Sequence, residues 1–520
     1  MYHDHRKSAF EALADDSVLA TSRSRLDRFV QALTKADYRQ VIPVSLIVML
    51  IAIWNGFPLL YEDAAGYIGR PARVLGSMLG QTSPDWIEAQ TGNAERTRAA
   101  SSAFDAEPDI WMAGRSAYWG SAAYLTTILA GPFGVVIMNA LLSAVTLVIT
   151  WFGVLGRASA VGLWTVAAIL TAVTPLGLFV GLISPDILSG LFVLALAGLA
   201  VSWSTLSRLD RGLLLAITSF AALSHDSLIP LGMLLIIPCV AVFLYRIELP
   251  IRRRIFASTS FAMPVLAGLI GMGVFSAVAV KNTGETPLRL PFVTAHIAST
   301  EFGARAIAEE CRTRSFEICR HADKLPLPWT NVLFARDAER GVFGVSTIEQ
   351  KQRLGKEQTS LLIAAVKRYP LEAAGHFTSD VFKQLASFDL NDIAQQQKAD
   401  TFRQMFTPSL YGAWSESRLA KDQSLIFAID EMTGWLVIAS LVAIAVVLWR
   451  RRKDGTERYA KTLAFAAIVL IGVVANAVVS GILASPWGRF EARLIWIVPF
   501  VAIAVSAMLN GGHKKGVHRV

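Results

Sequence analysis

The sequence contains few charged residues and few cysteines. Of its 520 residues, 17% are charged and 53% are hydrophobic, whereas soluble domains usually carry about 25% charged residues. Three cysteines are too few for a disulfide scaffold, and the chain has no internal repeat or low-complexity tract. The hydrophobic residues occur in runs of about 20, the length a helix needs to cross a bilayer. The sequence therefore predicts an all-α polytopic membrane protein and excludes soluble multidomain, fibrous and disordered classes.

Ten apolar runs predict about ten transmembrane helices, or eleven if the short apolar stretch 117–131 also crosses. The runs are 41–60, 133–154, 161–181, 187–206, 212–224, 228–246, 255–280, 432–449, 461–482 and 492–510. The pair within 212–246 is the least regular, because the polar tetrapeptide 224–227 divides one long apolar stretch. The stretch 117–131 also fits a re-entrant or interfacial segment.

Basic residues in the short loops predict the orientation. With a cytoplasmic amino terminus, the inner loops carry the basic residues and the short outer turns carry little besides Arg489. The inner residues are Arg157, Arg208, Arg211, Arg246, Arg252, Arg253, Arg254, Arg450, Arg451, Arg452, Lys453, Lys514, Lys515 and Arg519. We therefore expect a bacterial inner-membrane protein with both termini cytoplasmic, and no cleavable signal peptide is evident. The net charge of +9 then reflects topology and attraction to membrane lipids, so no nucleic-acid partner is expected.

Five regions follow from this topology. A cytoplasmic amphipathic lead (1–40) precedes an amino-terminal transmembrane module (41–280), whose first external loop (61–116) is unusually long. An external, mostly helical domain (281–430) follows the seventh span. The last transmembrane helices (431–510) and a basic cytoplasmic tail (511–520) complete the chain.

Residue patterns also predict local structure in the external regions. The stretch 64–80 mixes apolar residues with arginines, as an interfacial helix does. Helical patterns occur near 300–319, 346–368 and 371–387. On one straight helix Cys311 and Cys319 would be about 12 Å apart in rise, which is too far for a disulfide, so a bridge requires the chain to turn between them. No cysteine and histidine spacing resembles a zinc site.

Acidic residues directly follow the first predicted span. Glu62 and Asp63 lie beside Tyr61 and close to Tyr67. A carboxylate held at a lipid boundary could act as a general base. The alternative is a solvated acid at the amino terminus of the next helix, and local spacing alone favours it. Asp186 is likewise explained as the N-cap of the fourth span, although it lies on the same predicted membrane face as Asp63.

Two further features lie in predicted outer turns. His225 and Asp226 divide an apolar hairpin, where ionisable residues usually face a cavity or a partner; in the alternative they form only an outer turn, with Asp226 as a helix cap. Arg489 and Arg493 precede the last span on the side where arginine is disfavoured. They would either anchor to lipid headgroups or bind a phosphate in bidentate fashion. Arg115, at the end of the first external loop, is a similar candidate.

All these candidates share one predicted location. Each maps to the external membrane boundary once the topology is fixed, whereas unrelated polar residues would fall on both faces. The coincidence predicts a site at the outer leaflet for an anionic, lipid-linked substrate.

At this point the sequence resembles the GT-C superfamily of integral membrane glycosyltransferases, which use polyprenyl-phosphate-linked sugars as donors. Glu62-Asp63, within Asn55–Tyr67, matches the acidic position that follows the first transmembrane helix in that superfamily. Asp186 resembles a second acidic position of several members, and the region 281–430 resembles their external domain. The chain lacks the Trp-Trp-Asp signature of oligosaccharyltransferases, which argues against a protein acceptor.

The resemblance implies an inverting transfer of a sugar to a cell-envelope glycan or lipid acceptor. Asp63 would deprotonate the acceptor hydroxyl, with Glu62 as the alternative base, and Asp186 would position the acceptor or a bound cation. The departing lipid phosphate would be stabilised by Arg489, Arg493 and His225. The resemblance permits a divalent cation, but no residue pattern in the sequence identifies one.

Other functions remain open on the sequence. A transporter or flippase of a lipid-linked or anionic envelope precursor is the main alternative; it predicts internal symmetry and polar residues near the membrane midplane, neither of which the sequence displays. A membrane acyltransferase or polymer ligase could use His225 and Asp226 as an outward-facing base pair. A purely structural role of the external domain is the third alternative.

Overall fold

The computed structural model describes residues 36–79, 111–114, 116–156, 159–246, 250–398, 402, 408–453 and 456–510. Across these ranges the chain is helical and forms no β-strand; isolated bridges pair Leu59 with Leu182 and Met112 with Leu288. The all-α prediction is therefore confirmed. Arg115, Arg157, the tail 511–520 and most of the predicted lead lie outside the described residues.

Twelve helices precede residue 290 within the described ranges. They are α1 (Val41–Val48), α2 (Leu50–Asn55), α3 (Asp63–Leu79), α4 (Ala117–Ala130), α5 (Phe133–Val148, continued by the π-helical turn Ile149–Val154), α6 (Ala160–Val173), α7 (Leu176–Gly181), α8 (Leu188–Ser202), α9 (Arg208–Ser224), α10 (Leu228–Arg246), α11 (Ile251–Ser258) and α12 (Met263–Thr283). α3 corresponds to the helix predicted over 64–80.

Twelve more helices follow in the described part of the chain. They are α13 (Phe292–Ala298), α14 (Glu301–Glu310), α15 (Trp329–Phe334), α16 (Ile348–Arg368), α17 (Pro370–Ala386), α18 (Asn391–Lys398), α19 (Pro408–Ser415), α20 (Arg418–Lys421), α21 (Ser424–Arg451), α22 (Glu457–Leu483), α23 (Gly488–Ile495) and α24 (Ile497–Asn510). Short 3₁₀ helices form at Tyr38–Gln40, Thr259–Phe261 and Glu317–Lys324.

Among the residues that the structure describes, seven helical segments are long and apolar enough to cross a membrane: Tyr38–Asn55, Phe133–Val154, Leu228–Arg246, Met263–Thr283, Ser424–Arg451, Glu457–Leu483 and Gly488–Leu509. The protein is therefore a multi-pass membrane protein. Three other predicted spans correspond to α6, α8 and α9, which have 14, 15 and 17 residues. At 1.5 Å per residue these helices are about 21–26 Å long, shorter than a bilayer core of about 30 Å, so their length alone does not establish a crossing.

The peripheral helices present apolar side chains outward. On α21, Trp435, Ile438 and Val442 are 70%, 57% and 58% exposed, and Ile270 of α12 is 64% exposed. A soluble monomer rarely leaves such continuous apolar faces in water. These faces are accounted for if lipid chains cover them.

Helix α8 lies at the centre of the bundle. All of its residues are buried, and it packs against α9, α10 and α22. Glycines allow these close approaches: a Cβ on Gly190 would lie 2.7 Å from Trp496 Nε1, and one on Gly472 would lie 2.4 Å from Val193 Cγ1. A helix that is hydrophobic on every side belongs in a protein core or in a membrane, and the neighbouring helices cover α8 completely.

A second hydrophobic core forms within the region predicted as the external domain. It is built from α13–α17, includes Met112 from the end of the first long loop, and is separate from the bundle core. The predicted helices 346–368 and 371–387 correspond to α16 and α17. The pattern near 300–319 is not one helix, because α14 ends at Glu310 and the chain turns before the 3₁₀ helix at Glu317–Lys324. That turn brings Cys311 and Cys319 to a Cα separation of 5.6 Å, and they form a disulfide.

The second core lies over the end of the bundle from which α23 begins. Helix α17 packs against α22 and α23, and a Cβ on Gly481 would lie 3.0 Å from the backbone oxygen of Asp380. Gln384 of α17 hydrogen-bonds both backbone groups of Trp487, at 3.0 and 2.9 Å. These contacts fix the turn that precedes Arg489.

Candidate functional site

A backbone pairing brings the two predicted acidic positions together. The amide of Leu59 donates to the carbonyl of Gly181 at 2.9 Å, and the amide of Ile183 donates back to Leu59 at 3.0 Å. The chain after α2 therefore runs beside the chain after α7. Asp63 and Asp186, each a few residues beyond this pairing, consequently lie at the same end of the bundle.

Asp186 is the central carboxylate of the site. It is 2% exposed, and its Oδ2 accepts hydrogen bonds from Arg489 Nη2 at 2.6 Å and Nε at 3.1 Å, as well as from the hydroxyl of Ser184. Burial alone would raise the pKa of Asp186, but the guanidinium groups of Arg489 and Arg493 outweigh burial and hold it well below its ordinary value. The carboxylate is therefore ionised at neutral pH.

The interpretation of Asp186 as a helix cap is wrong. The N-cap of α8 is Ile187, and no side chain caps that end of the helix. The Asp186 side chain instead turns toward Arg489, which is 303 residues later in the chain. Local sequence favoured the cap because aspartate at that position is common; the tertiary ion pair overrides the local preference.

Arg489 connects the two carboxylates. Its Nη1 lies 3.8 Å from Asp63 Oδ2, while its Nη2 binds Asp186. The guanidinium carbon lies 3.6 Å from the centre of the Tyr61 ring, a cation–π contact. Burial raises the pKa of Tyr61 well above its ordinary value, so its hydroxyl keeps its proton and donates to Asp392 Oδ2.

Asp63, Asp186, Arg489 and Arg493 together form the ion-pair cluster. Arg493 is its most deeply buried member. It is 1% exposed, with Nη1 3.0 Å from His225 Nε2 and 3.7 Å from Asp186 Oδ1. Its Nη2 donates to Ser227 Oγ at 3.0 Å and to Asn476 Oδ1 at 3.2 Å. The guanidinium is therefore held by groups from three chain segments besides its own.

His225 acts as a hydrogen-bond acceptor in this arrangement. Burial, reinforced by the charge of Arg493, lowers the pKa of His225 to about 3, so the ring is neutral. Arg493 donates to Nε2 at 3.0 Å. On the other side of the ring, Nδ1 accepts from the Ser227 amide at 3.4 Å and lies 2.9 Å from Ser227 Oγ. The ring adds no positive charge, and Asp186 and Asp63 balance the two arginines.

The remaining predicted site residues lie at the edge of the cluster or away from it. Glu62 is exposed, and the Tyr67 ring packs edge-on against Trp119 at 5.2 Å. Burial raises the pKa of Asp226, and the nearby charge that opposes this rise is Arg289, not an arginine of the cluster. Arg115 lies outside the described residues. Asp63 is the first residue of α3, as the helix-terminus interpretation predicts. Its carboxylate also lies beside Arg489, as the site interpretation predicts.

Sequence reasoning missed several members of the cluster. In the sequence Tyr61 is only a neighbour of the acids, and Ser227 is only one member of the polar tetrapeptide 224–227. Asp392 carries no signal that sets it apart from other polar residues. Asn476 is 1% exposed inside α22, and a polar residue in the middle of a long apolar run was the available clue. The partner of Tyr61 at position 392 could not be found without the tertiary fold.

The side chains at the site differ in exposure. Asp63 is 31% exposed and His225 is 23% exposed, whereas Arg489 and Arg493 are 10% and 1% exposed. The accessible edge therefore presents a carboxylate and a neutral imidazole, with two guanidinium groups behind them. Such an edge can accept a proton from a substrate hydroxyl and stabilise negative charge on a neighbouring group.

A second group of side chains, His296, His376 and Asp380, has the geometry to hold a metal ion and lies between α13 and α17.

Comparison of the chain with protein-family models, with curated proteins and with solved structures found no match.

Proposed function

We propose that the protein is a membrane glycosyltransferase that moves a sugar from a polyprenyl-phosphate donor to a cell-envelope glycan or lipid acceptor. The observation that carries the proposal is the convergence of Asp63, Asp186, Arg489 and Arg493 at one end of the bundle. Buried arginines in a membrane protein are costly and usually functional. Guanidinium groups are the preferred partners of phosphate, and the resemblance to the GT-C superfamily supplies the reaction type.

The topology that fits this proposal has ten crossings, with α6, α8 and α9 spanning as short helices inside the bundle. The basic residues Arg208 and Arg211 lie at the opposite end of α9 from His225. By the positive-inside rule that basic end is cytoplasmic. The ion-pair cluster and the second core are then external, at the outer leaflet of a bacterial inner membrane.

The proposed reaction is a single displacement at the anomeric carbon. The acceptor oxygen forms a bond to that carbon as the bond to the phosphate oxygen breaks, and the acceptor proton passes to Asp63. The bond electrons leave with the polyprenyl phosphate, whose added charge Arg489 and Arg493 stabilise. Asp186 orients both guanidinium groups, and configuration at the anomeric carbon is inverted.

Asp63 is the better candidate for the base than Glu62. The carboxylate of Asp63 lies beside Arg489, within reach of the proposed phosphate position, whereas Glu62 is exposed. Adjacent acids of similar chemistry provide a matched pair of variants, since either substitution removes one charge from the same loop.

The activity test follows release of polyprenyl phosphate by mass spectrometry when purified protein meets polyprenyl-phosphate-linked hexoses and an envelope extract as acceptor source. We expect Asp63→Asn to lose about 100-fold or more of the rate, the usual loss when a general base is removed. Glu62→Gln should stay within a few-fold of the wild type. Full activity of Asp63→Asn would remove Asp63 from the mechanism.

A binding test addresses the arginines separately. Polyprenyl monophosphate, the expected leaving group, is added to protein in detergent and binding is measured by native mass spectrometry. Arg489→Gln should weaken binding, while Arg211→Gln, at the other end of the bundle, should not. Equal weakening by both variants would indicate nonspecific attraction, and no weakening by Arg489→Gln would contradict the proposed phosphate position.

A further inference from the structure

A second cluster of ionisable side chains lies between α13, α17 and the end of α22. His376 and Asp380 are four residues apart on α17, and therefore on one helix face, with His376 Nε2 3.0 Å from Asp380 Oδ2. His296 of α13 directs its Nε2 at the same oxygen from 2.9 Å. One potential ligand atom from each residue lies within 4.8 Å of the other two. Two imidazole nitrogens and one carboxylate oxygen thus converge.

The hydrogen bonds of His296 indicate a cation at this point. Its Nδ1 lies 3.1 Å from the carbonyl oxygen of Ile482, which can only accept, so Nδ1 carries a proton. In the neutral ring, Nε2 then presents a lone pair to Asp380 Oδ2, which is also an acceptor. A second ring proton or a metal ion would join the two atoms. His376 directs another nitrogen at the same oxygen, and one metal ion can bind all three atoms.

We propose that His296, His376 and Asp380 bind a divalent transition-metal ion, with zinc as the best match. Zinc is commonly bound by histidine nitrogens and carboxylate oxygens. Ligand atoms about 2.0 Å from a tetrahedral zinc are roughly 3.3 Å apart, only a few tenths of an ångström more than the nitrogen–oxygen separations at this site. Three protein ligands leave the fourth position for water.

The surrounding groups resemble the outer shell of a metal site. The carbonyl of Ile482 holds the His296 ring by the nitrogen that does not face the carboxylate, as outer-shell partners of ligating histidines do. Lys383 Nζ donates to Asp380 Oδ1 at 2.8 Å and so fixes the other carboxylate oxygen. His296 and Asp380 are 2% and 3% exposed, while the His376 side chain is 29% exposed and provides the side from which an ion enters.

Sequence spacing could not reveal this site. The ligands come from two helices about 80 residues apart in the chain, and only His376 and Asp380 form a local pair. The predicted absence of a cysteine and histidine zinc motif is compatible with a site assembled by tertiary packing.

The site would join the second core to the membrane bundle. Its ligands come from α13 and α17, and the hydrogen bond between His296 and the Ile482 carbonyl connects them to the end of α22. One turn beyond Asp380, Gln384 hydrogen-bonds Trp487, two residues before Arg489. A metal ion here would therefore stabilise the position of α17 over the ion-pair cluster without belonging to that cluster.

The test uses the full-length protein without a histidine tag, purified in detergent, treated with a chelator and dialysed. Zinc chloride is then titrated, and bound zinc is measured by elemental mass spectrometry alongside thermal unfolding. We expect one high-affinity zinc per chain and a rise in melting temperature on zinc addition. His376→Gln should weaken zinc binding about tenfold or more and remove the thermal shift. His321→Gln, which alters another half-buried histidine of the same core, should retain both.

Two results would overturn the proposal: wild-type protein that binds no more zinc than His376→Gln, or His321→Gln that loses zinc to the same extent. Cobalt(II) gives a readout that needs no variant, because a tetrahedral site with histidine ligands produces intense visible absorption bands. Absence of those bands in the wild type would also refute the site. Neither readout involves sugar transfer, so this proposal and the proposed function fail independently.

Discussion

Replacing Asp186 by asparagine should strongly destabilise the protein, because two buried guanidinium groups depend on this carboxylate. Asp186 accepts two hydrogen bonds from Arg489, at 2.6 and 3.1 Å, and its other oxygen lies 3.7 Å from Arg493. The Asp186 and Arg489 side chains are 3% and 10% exposed, so water cannot replace the lost charge. Asparagine keeps the shape but removes the charge and can place an N–H group against an N–H donor.

The expected loss follows from the cost of an uncompensated buried charge. Removing one partner of a buried ion pair typically costs about 3–5 kcal/mol. Asp63 lies 3.8 Å from Arg489 Nη1 and keeps part of the compensation. We therefore expect a loss near the lower end, about 3 kcal/mol.

The assay compares the unfolding of wild type and variants in the same detergent. Asp210→Asn is the matched control: this carboxylate is fully buried but lies at the other end of the bundle. There it accepts from the amide of Ser207, the N-cap of α9, and from the hydroxyl of Tyr38. Its loss should cost about 1 kcal/mol. The double variant Asp186→Asn/Arg489→Gln should lose less than the sum of the single losses. An Asp186→Asn variant as stable as wild type, or strictly additive losses, would refute the reasoning.

Two further predictions concern the surroundings of the cluster. Acidification below pH about 6.5 should destabilise the wild type, by about 1.4 kcal/mol at pH 5.5, because the unfolded chain takes up a proton that folded His225, with a pKa of about 3, does not. His225→Gln should remove this part of the pH dependence of thermal unfolding. Gly190→Ala should cost about 1–3 kcal/mol by overpacking, since its Cβ would lie 2.7 Å from Trp496. Gly212→Ala, where nothing lies within 4 Å, should be neutral or slightly stabilising in the same unfolding measurement.

The helices could be predicted from sequence wherever a local pattern determines them. Each of the ten apolar runs contains a helix, and α16 and α17 match their predicted bounds within two residues. The exceptions have tertiary causes. The pattern near 300–319 is interrupted because the chain turns to form the disulfide between Cys311 and Cys319, and the short helix α8 is possible because other helices cover every side of it.

The candidate site could be predicted only for residues that are rare in their surroundings. Asp63, Asp186, Arg489 and Arg493 stand out because charges are scarce near apolar runs, and all four are joined by ion pairs through Asp186 and Arg489. Asp392 could not be recognised, because acids are common in polar segments and its role depends on Tyr61, 331 residues away. A residue that differs from its sequence neighbours can therefore be recognised as a candidate, but only the tertiary packing determines which residues it contacts.

The strengths of the contacts around Arg489 indicate how substrate binding and base catalysis could be coupled under the proposed function. Arg489 is held closely by Asp186, at 2.6 Å, but lies 3.8 Å from Asp63, a separation too long for a hydrogen bond. A donor phosphate entering at the exposed edge would compete with Asp63 for the guanidinium and leave Asp186 in place. The Asp63 carboxylate would then be displaced from Arg489 and would face the acceptor hydroxyl. The acceptor proton would consequently be taken up most readily when the donor is already bound.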